Sequence, residues 1–131
     1  MNRFALFNIG FRSEGISRAI SDYEKKNSID DFILEDSREI IMDALKFKNK
    51  IIDSFNSSKN NPLEFFPLIF KVFKDRNAVD IYSELNEILL KLEMIKRKEK
   101  SDFTKVIDFF ESLSLVCLEN SNPYDYSHFM N

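Results

Sequence analysis

The sequence NAVDIYSELNEILLKLEMIK, residues 77–96, decides the fold class. Its apolar residues recur at spacings of three and four, which is the period of an α-helix and not of a β-strand. They are Ala78, Ile81, Tyr82, Leu85, Ile88, Leu89, Leu92 and Ile95. Asn77 with Asp80 is typical of a helix start, and Glu93 with Arg97 forms a favourable i, i+4 pair on the polar side. These features predict a long amphipathic helix.

The same helical period continues along most of the chain. It predicts a helix over residues 13–27, a short helix that Ser28 caps, and a long helical stretch from Asp36. The pattern leaves open whether the chain breaks at Asp36. Ser101 is expected to begin the last helix, whose inward residues are Phe103, Val106, Ile107, Phe110, Leu113 and Cys117.

The segment around residues 62–75 is apolar on nearly every side. Pro62 suits the first position of a helix, where a missing N–H costs nothing, whereas Pro67 predicts a kink. A short helix of this kind is expected at the centre of a bundle, packed by several neighbours. The alternative is that one side of it, with Phe65 and Phe73, forms an interface with another subunit.

The composition supports an all-α fold. The chain of 131 residues has only two glycines and three prolines, so it lacks the turn residues that a sandwich or barrel of short strands requires. Its size fits one domain over residues 1–131. We therefore predict a single-domain bundle of five or six helices, in which residues 120–131 form a loosely held tail.

The charge and the cysteine count bear on the environment of the protein. The net charge of −3 gives no basic footprint for nucleic acid over the whole domain. No apolar run approaches the roughly 18 residues that a bilayer requires. A single cysteine excludes an intramolecular disulfide, which suits a reducing compartment. An intracellular, cytoplasmic location is predicted.

Residues 1–12 are very apolar for a chain end. Phe4, Phe7 and Phe11 share one face if this stretch is helical. If it is a strand, the residues that share one face are Ala5, Phe7, Ile9 and Phe11. Chain ends are usually disordered unless they are tied down. The stretch therefore either packs on its own bundle or serves as an arm that docks into another subunit.

The residue types that carry catalysis are scarce. Cys117 falls on the inward stripe of an amphipathic helix, and the one histidine, His128, lies in the tail. A thiol without a neighbouring base is a poor nucleophile, so Cys117 is interpreted as a buried structural residue. One histidine and one cysteine cannot supply the ligands of a zinc site or of a di-iron bundle. No catalytic residue, metal or cofactor is predicted.

Two acidic motifs have a spacing that is used elsewhere for magnesium. ELNE at residues 84–87 and EKSD at residues 99–102 each place two carboxylates one turn apart. This form resembles the magnesium-binding helices of all-α nucleotide pyrophosphohydrolases, and the resemblance implies Mg²⁺-dependent hydrolysis. The layout departs from that family, because only eleven residues separate the motifs and the second straddles a predicted helix boundary at Ser101. Solvated acidic faces are the preferred interpretation.

Two basic clusters raise the question of nucleic acid. Lys46 and Lys50 are i, i+4 neighbours on one predicted helix. The second cluster ends the helix of residues 77–96 and consists of Lys96, Arg97, Lys98 and Lys100. Residues 78–100 nevertheless balance five basic against five acidic residues. Binding of nucleic-acid phosphates without sequence preference needs a positively charged groove. Nucleic-acid binding is therefore the alternative function and not the preferred one.

Function is inferred mainly by exclusion, because a helical bundle hosts many activities and only a site distinguishes them. We predict a non-catalytic protein–protein interaction module that acts as a small subunit, adaptor or regulator, with a protein partner or a second copy. No membrane and no small-molecule substrate is expected. The candidate docking residues are Phe4, Phe7, Phe11, Phe65 and Phe73. A nucleoprotein subunit is the alternative, and a magnesium-dependent hydrolase is the third.

Overall fold

The computed structural model describes residues 6–46, 71–73 and 78–121. Within these residues the chain forms four α-helices and no β-strand. They are α1 (Leu6–Lys26), α2 (Asp31–Lys46), α3 (Ala78–Lys96) and α4 (Thr104–Glu119). The predicted all-α class is confirmed for this part of the chain.

Several predictions concern residues outside the described part of the chain. They include the number of five or six helices and most of the central helix around 62–75. They also include the tail beyond Ser121. The docking candidates Phe4 and Phe65 and the basic residue Lys50 lie outside it as well.

Helix α1 begins earlier than the sequence pattern indicates. Residues 6–12 are helical and continue directly into the helix predicted over residues 13–27. Gly10 and Gly15 each cost about 1 kcal/mol of helix propensity relative to alanine, which hides the helix from a local pattern. Burial of Leu6 and Ile9 in the core compensates for that cost.

Helix α2 is capped by Asp30 and not, as predicted, by Ser28. The backbone N–H of Phe32 donates a hydrogen bond to Oδ1 of Asp30 at 2.9 Å, which satisfies one of the free donors at the start of the helix. The helix then runs through Asp36 without a break. The Asp36 carboxylate accepts from Nε of Arg12 at 3.0 Å and thereby joins α2 to α1.

Helix α4 begins at Thr104, three residues later than Ser101, where it was predicted to start. The Asp102 carboxylate accepts the backbone N–H of Thr104 at 2.9 Å, so the local hydrogen bonding of the aspartate sets the start. The predicted inward stripe is confirmed at Phe103, Val106, Phe110, Leu113 and Cys117, whereas Ile107 is only partly buried.

Helix α3 ends in a turn that glycine usually makes. The N–H of Glu99 bonds to the carbonyl of Met94 at 2.9 Å, and the N–H of Lys98 bonds to that of Ile95 at 3.0 Å. These two bonds form a Schellman motif, whose C′ position requires a positive φ. Lys98 occupies that position with a φ of 60°.

The first and last of the four helices lie antiparallel. At one end, a methyl group on Gly10 would lie 2.6 Å from Cγ of Leu118, so the helices approach closely there. At the other end, the Tyr23 and Phe103 rings meet edge to face with centroids 5.8 Å apart. The Tyr23 hydroxyl lies 3.5 Å from the Glu99 carbonyl oxygen. The end of α1 therefore meets the connection between α3 and α4.

Phe73 places the end of the 62–75 segment in the core. Lys71 and Val72 are helical, and the Phe73 side chain is buried. Its ring stacks on Phe109 with centroids 5.4 Å apart, and Phe109 meets Phe110 edge to face at 5.1 Å. This is one of several aromatic contacts that stabilise the core.

Candidate interaction surface

The solvent side of α2 and α3 is the candidate functional surface, and we call it the outer α2–α3 face. Arg38 crosses between the two helices. Its Nε lies 2.9 Å from Oε1 of Glu93, although the angle at that nitrogen does not satisfy a hydrogen bond. Its Nη1 lies 3.4 Å from Oε1 of Glu35. Arg38 lies midway along α2, so the direction of the pair follows from another contact. Tyr23, near the end of α1, meets the connection that follows α3, and only residues 27–30 join α1 to α2. The start of α2 therefore lies near the end of α3, and the two helices run antiparallel.

Two large apolar side chains are exposed beside this ion pair. Met42 lies one turn after Arg38 on α2, and Leu90 lies nearly one turn before Glu93 on α3. Because the helices are antiparallel, a step forward along α2 and a step backward along α3 lead in the same direction. Both side chains therefore lie at about the same level, that is, at the same height along the helix axes, on the outer face. Met42 is 49% exposed and Leu90 is 66% exposed. The neighbouring Leu45 and Leu89 are partly buried against the core.

Charged side chains of both signs surround these apolar residues. Glu35 and Arg38 carry opposite charges on α2. On α3, Glu93 is followed by Lys96 and Arg97, which are exposed. An apolar patch with charged surroundings fits contact with another macromolecule better than it fits a small ligand.

The structure locates three of the five phenylalanines predicted to dock. Phe7 is buried in α1 and Phe73 is buried against α4, while Phe11 is half-buried. Phe4 and Phe65 lie outside the described residues. The exposed apolar residues of the outer α2–α3 face were not among the predicted docking sites. A signal in the sequence could have identified this surface: Leu90 is an apolar residue on the otherwise polar side of an amphipathic helix.

The predicted basic run at residues 96–100 lies at one end of the molecule. Lys96, Arg97, Lys98 and Lys100 are all exposed. Lys46 closes α2, and its side chain lies outside the described part, as does all of Lys50. The contact of Tyr23 with Glu99 and Phe103 brings the last turn of α1 to the same end. That turn adds Lys25 and Lys26, which the sequence pattern did not connect with the run at 96–100.

The predicted acidic motifs form individual contacts. Glu87 lies 3.5 Å from Lys105 of α4, and Glu99 lies 3.3 Å from Arg97. Hydrogen bonds from the side chain and the backbone of Thr104 hold the pKa of Asp102 below its usual range. Among the residues that the structure describes, no three His, Cys, Asp or Glu side chains come together as a group that could hold a metal ion.

The described residues include depressions that are open to solvent, and two of them adjoin α1 and α4. The larger has a volume of about 520 Å³ and runs between α1 and α4, where Ser17 and Ser114 lie in its wall. The Ser17 hydroxyl donates to the Glu14 carbonyl at 2.8 Å, and Arg18 pairs with the Glu14 carboxylate. These polar groups are satisfied locally. The smaller depression, of about 440 Å³, lies beside Tyr23 and Thr104.

Cys117 is fully buried, and desolvation raises the pKa of its thiol to about 12. A buried thiol is not ionised near neutral pH, and only the thiolate is a strong nucleophile. The interpretation of Cys117 as a packing residue of the core is therefore supported by its surroundings.

Over the described ranges, no helix combines the length and the apolar character that crossing a bilayer requires. Comparison with protein-family models, curated proteins and solved structures gives no match to this chain. Function is therefore argued from the residues of this chain alone.

Proposed function

We propose that this protein is a non-catalytic helical interaction module, a small subunit, adaptor or regulator of a larger assembly, and that it docks through the outer α2–α3 face. The observation that carries the proposal is the pairing of Met42 with Leu90 at one level of that face. A helix normally keeps such residues on its buried stripe. Their exposure together is typical of a surface that a partner covers.

The surroundings of the patch support a specific contact. Arg38 lies between the carboxylates of Glu35 and Glu93 and is only partly exposed, which limits its freedom before any partner arrives. Met42 adapts easily to the shape of a partner, because its side chain is unbranched and polarizable. Leu90 adds a larger apolar contact, and the charged residues around it act as a polar rim.

The proposal includes features that lie beyond the described residues. A helix around residues 62–75 belongs to it, supported by the helical Lys71 and Val72 and by the buried Phe73. A cytoplasmic location also belongs to it, because Cys117 is a free cysteine and free thiols suit a reducing compartment.

Site-specific photo-crosslinking tests the docking surface. A photoreactive phenylalanine analogue replaces Leu90 in one variant and Leu115, exposed on α4, in a matched control. In cells that make the protein naturally, the probe at position 90 is expected to give one discrete adduct, and Met42→Glu in the same chain is expected to abolish it. Mass spectrometry then identifies the adduct. Equal adducts from positions 90 and 115, or none from position 90, would contradict the proposal.

A second candidate function is contact with RNA or DNA. The observation that favours it is the meeting of Lys25 and Lys26 with the run at 96–100 at one end of the molecule. Residues 22–31 and 93–105 together carry seven acidic and seven basic side chains, so this end has little net positive field. The test is the ratio of absorbance at 260 and 280 nm after purification. Nucleic acid that is retained at low salt and lost as salt rises supports this candidate.

A further inference from the structure

We infer that the partner of the outer α2–α3 face is a second copy of this chain, related by a two-fold axis parallel to the helices. This inference rests on the proposed function and names the occupant of the same surface. It follows from the order in which apolar, acidic and basic residues occur along α2 and α3.

The ion pair between Arg38 and Glu93 sets the register of α2 against α3. In an antiparallel pair, each step forward along α2 corresponds to one step backward along α3. Glu35 therefore lies at the level of Lys96, and Met42 lies at the level of Leu89, next to Leu90. Each helix thus carries a charge near the same end of the pair and an apolar residue seven positions, or about two turns, from that charge.

A rotation about a two-fold axis parallel to the helices leaves each residue at the same height along the helix direction. It places α2 of one copy opposite α3 of the other. Glu35 of each copy faces Lys96 of the other, and Met42 faces Leu89 and Leu90. The same surface serves both copies, as a two-fold interface requires. The face is complementary to itself in charge and in apolar character.

The exposed side of α4 lacks this property. Leu115 is also exposed there, but Asp108, Glu111 and Glu119 are exposed around it. A second copy of the same surface would bring like charges together, which disfavours association. Leu115 is therefore a matched control: it has the same side chain as Leu90, but its substitution is not expected to change the association of two copies.

The size of the face predicts a weak, concentration-dependent dimer. Helices of 16 and 19 residues lying side by side cover roughly 20 Å by 25 Å, at about 1.5 Å per residue. A specific interface of standard size buries about 800 Å² on each partner. The outer α2–α3 face, at about 500 Å², is smaller than that standard, so monomer and dimer are expected to exchange.

Light scattering on the full chain, measured over a range of protein concentrations, tests the inference. The expected mass rises from 15.5 kDa toward twice that value as concentration increases. Leu90→Glu is expected to keep the mass at that of a single chain, whereas Leu115→Glu leaves the rise unchanged. Circular dichroism melting verifies that each variant is folded.

Charge reversal tests the arrangement of the two copies. Glu35→Lys places lysine opposite Lys96 at both sites of the dimer and is expected to weaken association at least tenfold. Lys96→Glu is expected to do the same by bringing two glutamates together. The double variant restores opposite charges at both sites, so it is expected to recover most of the association. Recovery distinguishes a direct contact across the interface from a general effect of net charge.

Three outcomes would overturn the inference: a single-chain mass at every concentration, equal weakening by Leu90→Glu and Leu115→Glu, or no recovery in the double variant. These outcomes are distinguishable from failure of the proposed function. If the probe at position 90 captures a different protein while the mass stays at one chain, only the choice of a second copy is wrong. If that probe captures nothing, the docking surface itself is wrong.

Discussion

The two helix pairs of this protein are held together in different ways. Helices α1 and α4 approach closely at Gly10, where even a methyl group would meet Leu118, and serines line the groove between them. Helices α2 and α3 are joined at the surface by Arg38, which lies between carboxylates of both helices. The first pair requires the absence of side-chain volume at Gly10, whereas the second has long charged side chains that reach across its surface.

This difference indicates which helix pair has an outer face available for contact with another molecule. A close helix pair is specific for its own partner, because any added volume separates it. A pair bridged by long side chains leaves its outer face free to carry other residues, and here it carries Met42 and Leu90. The proposed docking surface lies on the α2–α3 pair.

The largest expected effect is the difference in unfolding free energy between substitutions on the buried side and on the exposed side of α3. Leu92 is fully buried, whereas Leu90 is exposed. Leu92→Ala removes buried methyl groups and leaves a cavity, so it is expected to cost about 3 kcal/mol of unfolding free energy. Leu90→Ala is expected to change that free energy by less than about 0.5 kcal/mol. Urea unfolding measures both values, and similar losses in the two variants would mean that Leu90 also packs in the core.

A smaller effect tests the close approach of α1 and α4. Gly10→Ala places a methyl group against Leu118 and is expected to destabilise the protein by about 2 kcal/mol, the usual cost of overpacking. Gly15 has open space around its Cβ position, so Gly15→Ala is expected to stabilise α1 by about 1 kcal/mol. Thermal unfolding compares the two. Stabilisation by both substitutions would show that α1 and α4 are farther apart.

The buried thiol of α4 predicts a dependence on pH. An unfolded Cys117 ionises near pH 9.0, whereas burial raises its pKa in the folded chain to about 12. Between these values only the unfolded state loses the proton. The thiol therefore lowers stability as pH rises above 9, by up to about 1.4 kcal/mol per pH unit. Urea unfolding at pH 8 and pH 10 should show a smaller loss in Cys117→Ala than in the wild type, and equal losses would contradict burial.

The smallest expected effect is at the bridge between α2 and α3. Arg38→Met keeps an unbranched apolar stem and removes the charged guanidinium group. It is expected to cost about 0.5 kcal/mol, because Arg38 and Glu93 are each about a third exposed and water weakens their attraction. The loss should shrink further in 0.5 M salt. A loss above about 2 kcal/mol would show that the α2–α3 pair depends on this contact as strongly as α1 and α4 depend on Gly10.

The fold class was predictable because it depends on local repetition. Most of the apolar stripe predicted for α3 is confirmed, whereas Leu89 is only partly buried and Tyr82, which was also placed on it, is 38% exposed. The buried members are Ile81, Leu85, Ile88, Leu92 and Ile95. The start of α1 was less predictable, because Gly10 weakens the local helical pattern. A glycine is needed at this position because Leu118, distant in sequence, leaves no room for a side chain. Helix starts shifted by a few residues wherever an aspartate made a local hydrogen bond, as Asp102 does with Thr104.

The candidate surface was less predictable than the fold. Spacing alone pairs Glu93 with Arg97 on the same helix, whereas the structure brings Glu93 to Arg38 of α2. The register of α2 against α3 follows from that contact, and without it Met42 and Leu90 are two unrelated apolar residues. Sequence periodicity describes each helix by itself and contains no information on which helices are neighbours.

The pairing of α1 with α4 also has a consequence for how the chain folds. Gly10 and Leu118 are 108 residues apart in the sequence, so their contact closes a long loop. Contacts between distant residues slow folding, and this molecule is expected to fold more slowly than a bundle in which each helix packs on the next. During synthesis, α1 can complete its packing only after α4 has left the ribosome.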